Sequence, residues 1–129
     1  MNDWGVQELR LLHRCWPSLI HAEGTTWCKI PDFTLPVGWN RARADVAFQI
    51  PEGLPGQEPY GFWVRGGLVL ANDATPTNYT FPVEPTPWGD RWGQFSWSLN
   101  PWEPGAQPGQ GTSMVDFVRS FAGRLQEMN

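Results

Sequence analysis

The chain has 129 residues, enough for one domain with its own core. It is 40% hydrophobic and 17% charged, with a net charge of −4 and nine tryptophans, a composition that excludes a disordered segment. The acidic balance argues against nucleic acid or an anionic membrane as partner, and Arg41, Arg43 and Arg65 lie scattered along the chain with no basic stripe.

Val6, Leu9, Leu12, Cys15 and Trp16 recur at helical spacing and predict a helix over residues 3–15, with Asp3 as its cap and Pro17 as its stop. Ser18 to Ala22 and Thr25 to Ile30 read as two strands turning at Glu23-Gly24. Asp45 to Ile50 alternates polar and apolar residues, the mark of a half-buried strand. Pro51, Gly53, Pro55, Gly56 and Pro59 then interrupt regular structure, and Phe62 to Leu70 resumes as one bent strand or two short ones.

Residues 71–111 lack periodicity and are rich in Pro, Gly and Trp, so they read as one long irregular segment of functional character. Ser113-Met114-Val115-Asp116 is a capping box, and Met114, Phe117, Val118, Phe121 and Leu125 line one face of a final helix. Strands grouped between helices predict an α+β fold with an antiparallel sheet, and residues 1–129 read as a single domain. Cys15 and Cys28 read as buried free thiols. No apolar run approaches the ~20 residues of a membrane span, and the N-terminus has no basic lead before an apolar stretch, so a cytoplasmic location is expected.

Three motifs in order carry a resemblance. Ile50-Pro51-Glu52-Gly53-Leu54-Pro55-Gly56-Gln57-Glu58-Pro59 is a proline-rich turn, Thr86-Pro87-Trp88 leads to Gly93-Gln94-Phe95-Ser96, and Trp102-Glu103-Pro104 follows. Together, over roughly residues 3 to 126, they resemble the ubiquitin-conjugating enzymes. In that family a His-Pro-Asn triplet leads to Gly-x-Ile-Cys at the same spacing, and a Trp-x-Pro comes after. The chain is most similar to the divergent prokaryotic branch, which is associated with bacterial operons for an activating enzyme, a ubiquitin-like protein and an isopeptidase. The resemblance implies an N-terminal helix, a four-stranded antiparallel meander and a C-terminal crossover helix. It implies a ubiquitin-like protein and its activating enzyme as partners, and no cofactor or metal.

It also places Ser96 at the position of the catalytic cysteine, Thr86 at that of the His and Trp88 at that of the Asn. A serine can carry an acyl group as an oxyester, but only with a general base and oxyanion donors to help it. Glu84, Asp90 and Glu103 are the carboxylates near it in sequence, and backbone amides of the 71–111 segment are the candidate donors. Trp88, Trp97 and Trp102, with Trp92, form either a platform for a peptide tail or a lid on the core. By the same resemblance, the exposed side of the first helix, including Gln7, Glu8 and Arg10, and the turns at Pro55 and Pro59 form the docking surface for an activating enzyme.

Three functions stay open from the sequence. One is a transferase of a ubiquitin-like protein acting through Ser96. The second is a variant without chemistry that docks the activating enzyme or the ubiquitin-like protein. The third is an aromatic-rich module binding carbohydrate or proline-rich peptide. No Gly-rich phosphate loop, metal-ligand cluster or Ser-His-Asp spacing points elsewhere.

Overall fold

In the computed structural model, which describes residues 1–127, the chain forms α1 (Asp3–Cys15), β1 (Ile20–His21), β2 (Trp27–Thr34), β3 (Arg43–Gln49), β4 (Phe62–Arg65), β5 (Tyr79–Val83), β6 (Trp92–Phe95) and α2 (Met114–Gln126). The strands make one antiparallel sheet of six in the order β1-β2-β3-β4-β6-β5. The expected meander is therefore present as β1 to β4, but the sheet has two strands more than the expected four. Both extra strands come from the segment read as irregular. β5 contains Pro82 and alternates only between half-buried and exposed positions, while β6 is four residues long with Gly93 inside it. Neither leaves a period-two hydrophobic signal. Pro82 is tolerated because β5 is an edge strand, where a missing amide breaks no ladder.

α2 forms where its capping box and apolar face place it. Ser113 Oγ accepts from Asp116 N, Asp116 Oδ2 accepts from Ser113 N, and Met114, Phe117, Val118, Phe121 and Leu125 are all buried. Phe121 stacks on Phe62 at 4.2 Å between ring centroids and meets Phe48 edge-on at 6.0 Å. Burial of such side chains contributes on the order of 2 kcal/mol each, so this aromatic seam holds helix to sheet.

α1 is rotated relative to its expected face. Its cap is Asn2, whose side chain accepts from Gly5 N, and Asp3 is the first helical residue. Gly5, Glu8 and Leu12 face inward, while Val6 and Cys15 are exposed. Gly5 makes the close approach possible, since a Cβ there would lie 3.4 Å from Ile50 Cγ2 and 2.6 Å from Met1 Cγ. The inward Glu8 does polar work: Met114 N, at the start of α2, donates to Glu8 Oε1 at 3.4 Å. A carboxylate there answers one of the unpaired amides of the helix N-terminus. No helix among the described residues is long and apolar enough to cross a membrane.

The two sheet faces are covered differently. α1 and α2 cover the face bearing Val46, Phe48, Phe62 and Phe95. The other face carries Trp27, Ala47, Trp63 and Trp92, a separate apolar cluster covered by the connection between β5 and β6. Trp88 in that connection packs on the cluster, its carbonyl accepts from Arg65 Nη1 at 3.0 Å, and Lys29 Nζ lies 5.2 Å from its ring centre.

Two predictions follow from this packing. Tyr79 lies across Gly93, and its hydroxyl accepts from Leu68 N at 3.0 Å; a Cβ on Gly93 would collide with the Tyr79 ring and hydroxyl. Gly93→Ala should therefore cost about 1–3 kcal/mol in a denaturant melt, and Tyr79→Ala in the same chain should remove most of that increment. An unchanged midpoint in Gly93→Ala would show that Tyr79 does not cross the strand.

Burial raises the Glu8 pKa above the ordinary carboxylate range, against the lowering effects of the Met114 amide and Trp4. A raised pKa means that the protonated form is favoured in the folded state. Its stabilising share is complete below the unfolded value and is lost as pH rises through the folded one. Glu8→Gln, which stays neutral, should gain in melting temperature relative to wild type as pH goes from about 4 to about 7. A gap that grows in favour of wild type would mean that the helix N-terminus outweighs desolvation.

Candidate functional site

Ser96 follows the last residue of β6, and the alternation of the strand sets its environment. Phe95 enters the core, and Trp97 Nε1 donates to Ser120 Oγ of α2 at 2.8 Å. Ser96, between them, is exposed and lies on the opposite side of the strand from α2. Its amide donates to Asn78 O at 2.9 Å, and the next carbonyl, Trp97 O, accepts from Gly61 N at 2.7 Å. The backbone at Ser96 thus continues the pairing of β6 with its neighbours on both sides, and the Ser96 amide is committed.

Of the carboxylates expected to help Ser96, Glu84 and Asp90 are at the other end of the strand. Arg91 O accepts from Gly66 N, and Val83 pairs with Trp92, so Glu84, Asp90 and Arg91 belong to the opposite end of β6 from Ser96. The five steps of extended chain from Arg91 to Ser96 span roughly 17 Å. Trp88 belongs to that far end too, through its hydrogen bond from Arg65, so the triplet position and the cysteine position are not brought together. Glu103 is tied to Thr112, donating from N to Thr112 Oγ1 at 3.1 Å and accepting from Thr112 N through its carbonyl at 2.9 Å. His21 is in β1, and four strand spacings from β6 amount to roughly 19 Å. Among the described residues no carboxylate or imidazole hydrogen-bonds the Ser96 hydroxyl.

The tryptophans act as struts. Trp92 is fully buried, Trp102 Nε1 donates to Pro55 O at 3.0 Å, and Trp97 is tied to α2. All nine are buried or half-buried, so none of the tryptophans presents a fully exposed ring to a sugar or a proline-rich peptide. His13 and His21 bond the carbonyls of Leu19 and Thr25, and no three metal-ligating side chains gather among the described residues. Of the two thiols, Cys28 is buried and its pKa is pushed up to about 12, which keeps it protonated and inert. Cys15, expected to be buried, is exposed on the last turn of α1, with Arg119 Nη2 at 3.8 Å from its sulfur.

The segments expected to form a docking surface are neighbours in the fold, with one residue placed otherwise than expected. Asn2 Nδ2 donates to Leu54 O at 2.8 Å, and Trp102 binds the neighbouring Pro55 carbonyl, so the start of α1, the proline turn and the Trp-x-Pro segment meet. Gln7 and Arg10 are exposed there, whereas Glu8, only 1% exposed, is out of a partner's reach. The resemblance implies an exposed Glu8, but its inward position follows from a face built on Gly5, Glu8 and Leu12, of which the apolar pattern marks only Leu12.

One group of residues escaped the sequence altogether. Arg41, Arg43 and Arg65 converge with Arg91 around one cavity of about 520 Å³, with Asp45 and Asp90 on its wall. The signal was unreadable in the chain because β3, β4 and β6 become neighbours only in the sheet. Compared with known proteins, the chain matches no protein-family model, no curated protein and no solved structure.

Proposed function

We propose that the protein is a conjugating-enzyme-like docking component of a ubiquitin-like protein pathway, holding the activating enzyme or the ubiquitin-like protein without forming an ester at Ser96. The resemblance is supported by β1 to β4 in sequence order, the proline turn between β3 and β4, and a helix at each end. One observation favours docking over transfer. Among the described residues the Ser96 hydroxyl has no base at hydrogen-bond distance, and its own amide is committed to Asn78 O. A hydroxyl without a base is a poor nucleophile near neutral pH. The docking face is the exposed side of α1 at Gln7 and Arg10, continuous with the proline turn through Asn2.

Transfer through Ser96 is the second reading, and the exposure of the side chain favours it. A charging reaction with the cognate activating enzyme, ubiquitin-like protein and ATP separates the two. Docking predicts a complex in calorimetry and no covalent adduct. Gln7→Glu with Arg10→Glu should weaken that complex about tenfold, or about 1.4 kcal/mol, while Ser96→Ala leaves it unchanged. A hydroxylamine-sensitive, thiol-resistant adduct that disappears in Ser96→Ala would establish transfer and end the docking reading. A thiol-sensitive adduct lost in Cys15→Ser would overturn both.

A further inference from the structure

We propose that the cavity ringed by Arg41, Arg43, Arg65 and Arg91 is a binding site for a small ligand of the diphosphate class, independent of the docking role. Four arginines and two aspartates, Asp45 and Asp90, line the cavity, which leaves two positive charges in excess there. Among the described residues none of the four arginines forms an ion pair within 4.0 Å, the ion pair present being Arg124 of α2 with Glu127 at its C-cap.

Three of the four are held by neutral groups instead. Arg41 Nη1 donates to Arg65 O at 2.6 Å, and its guanidinium lies so close over Gly66 that a Cβ there would come within 2.7 Å of it. Gly66 also has φ +79°, so both the backbone and the close approach call for glycine. Arg65 donates to Trp88 O, and its guanidinium lies 5.4 Å from the Trp92 ring centre. Arg91, itself in the left-handed region at φ 65°, lies 5.2 Å from the Phe81 ring centre. Carbonyls and ring faces orient a guanidinium without neutralising it, so the forks are pre-organised while their charge stays available.

Holding like charges together costs free energy that a bound anion would recover. The excess of two charges suits a ligand with two anionic groups better than a lone carboxylate. The volume falls in the range of small-molecule sites, and two carboxylates in the lining of this open pocket suit a compact ligand better than a nucleic-acid backbone. The chain as a whole carries a net charge of −4, which further disfavours a long polyanion.

The test is isothermal titration of the whole chain with inorganic pyrophosphate at low and fixed ionic strength. The site predicts saturable one-to-one binding, at least tenfold weaker in Arg43→Gln and in Arg91→Gln, and within twofold of wild type in Arg14→Gln, an exposed arginine of α1. Arg43 is the decisive position, because among the described residues its side chain makes no hydrogen bond or ion pair that folding would lose. Melting curves without pyrophosphate confirm that each variant is folded. ADP in a second arm reports the source: binding tighter than pyrophosphate assigns a nucleotide, and equal binding assigns the diphosphate alone. No saturation in wild type, or binding in Arg43→Gln equal to wild type, overturns the proposal.

Discussion

The structure depends on where β6 inserts. After β4 the chain runs out to the sheet edge as β5 and returns as β6 between them, hydrogen-bonded to both. This return turns an edge into an interior strand. Gly93 serves it by leaving room for the Tyr79 ring, and Phe95 stacks on Phe62 at 4.9 Å. The same strand sends Trp92 to the other face, so four residues pin the sheet between two apolar clusters.

The two clusters differ in what closes them. The helix side is sealed by aromatic rings from α2 and fixed at its ends by Trp39 Nε1, which donates to Leu125 O at 2.8 Å. The tryptophan side has no helix, and the β5–β6 connection closes it with Trp88, the buried Thr86 and the Arg65 guanidinium. Among the described residues the buried indole nitrogens of Trp63 and Trp92 have no hydrogen-bond partner. Each unpaired donor costs on the order of 1–3 kcal/mol, so apolar burial has to outweigh a real polar penalty on that face. The two ends of β6 also acquire different chemistry, with arginines at one and an exposed serine at the other.

The legible parts of the sequence were those with a local period or a local hydrogen bond. The Ser113 capping box, the α2 face and the alternation through Val46, Phe48 and Ile50 each declare themselves within a few residues. The β1–β2 hairpin was legible from Glu23-Gly24, where Gly24 adopts φ +79°. α1 was legible as a helix but not in its orientation, because its inward face uses Gly5 and Glu8, which no hydrophobic count selects. β5 and β6 were hidden because Pro82 and Gly93 look like breakers until the edge position and the Tyr79 ring explain them. Ser96 was legible as a position and not as an environment, since the distance from Asp90 is set by strand length and not by sequence separation. The arginine cavity depends entirely on strand order, which local pattern does not encode.

The account stands or falls on the order β4-β6-β5, because that order brings Arg65 and Arg91 together at one end of β6 and leaves Ser96 at the other. Cross-strand nuclear Overhauser effects in the labelled protein test it most directly. The account predicts contacts of Gly93 with Val64 and of Gln94 with Thr80, the pairs that flank β6 on its two sides. Contacts that place β5 directly beside β4, with residues 92–95 paired to neither, would contradict it.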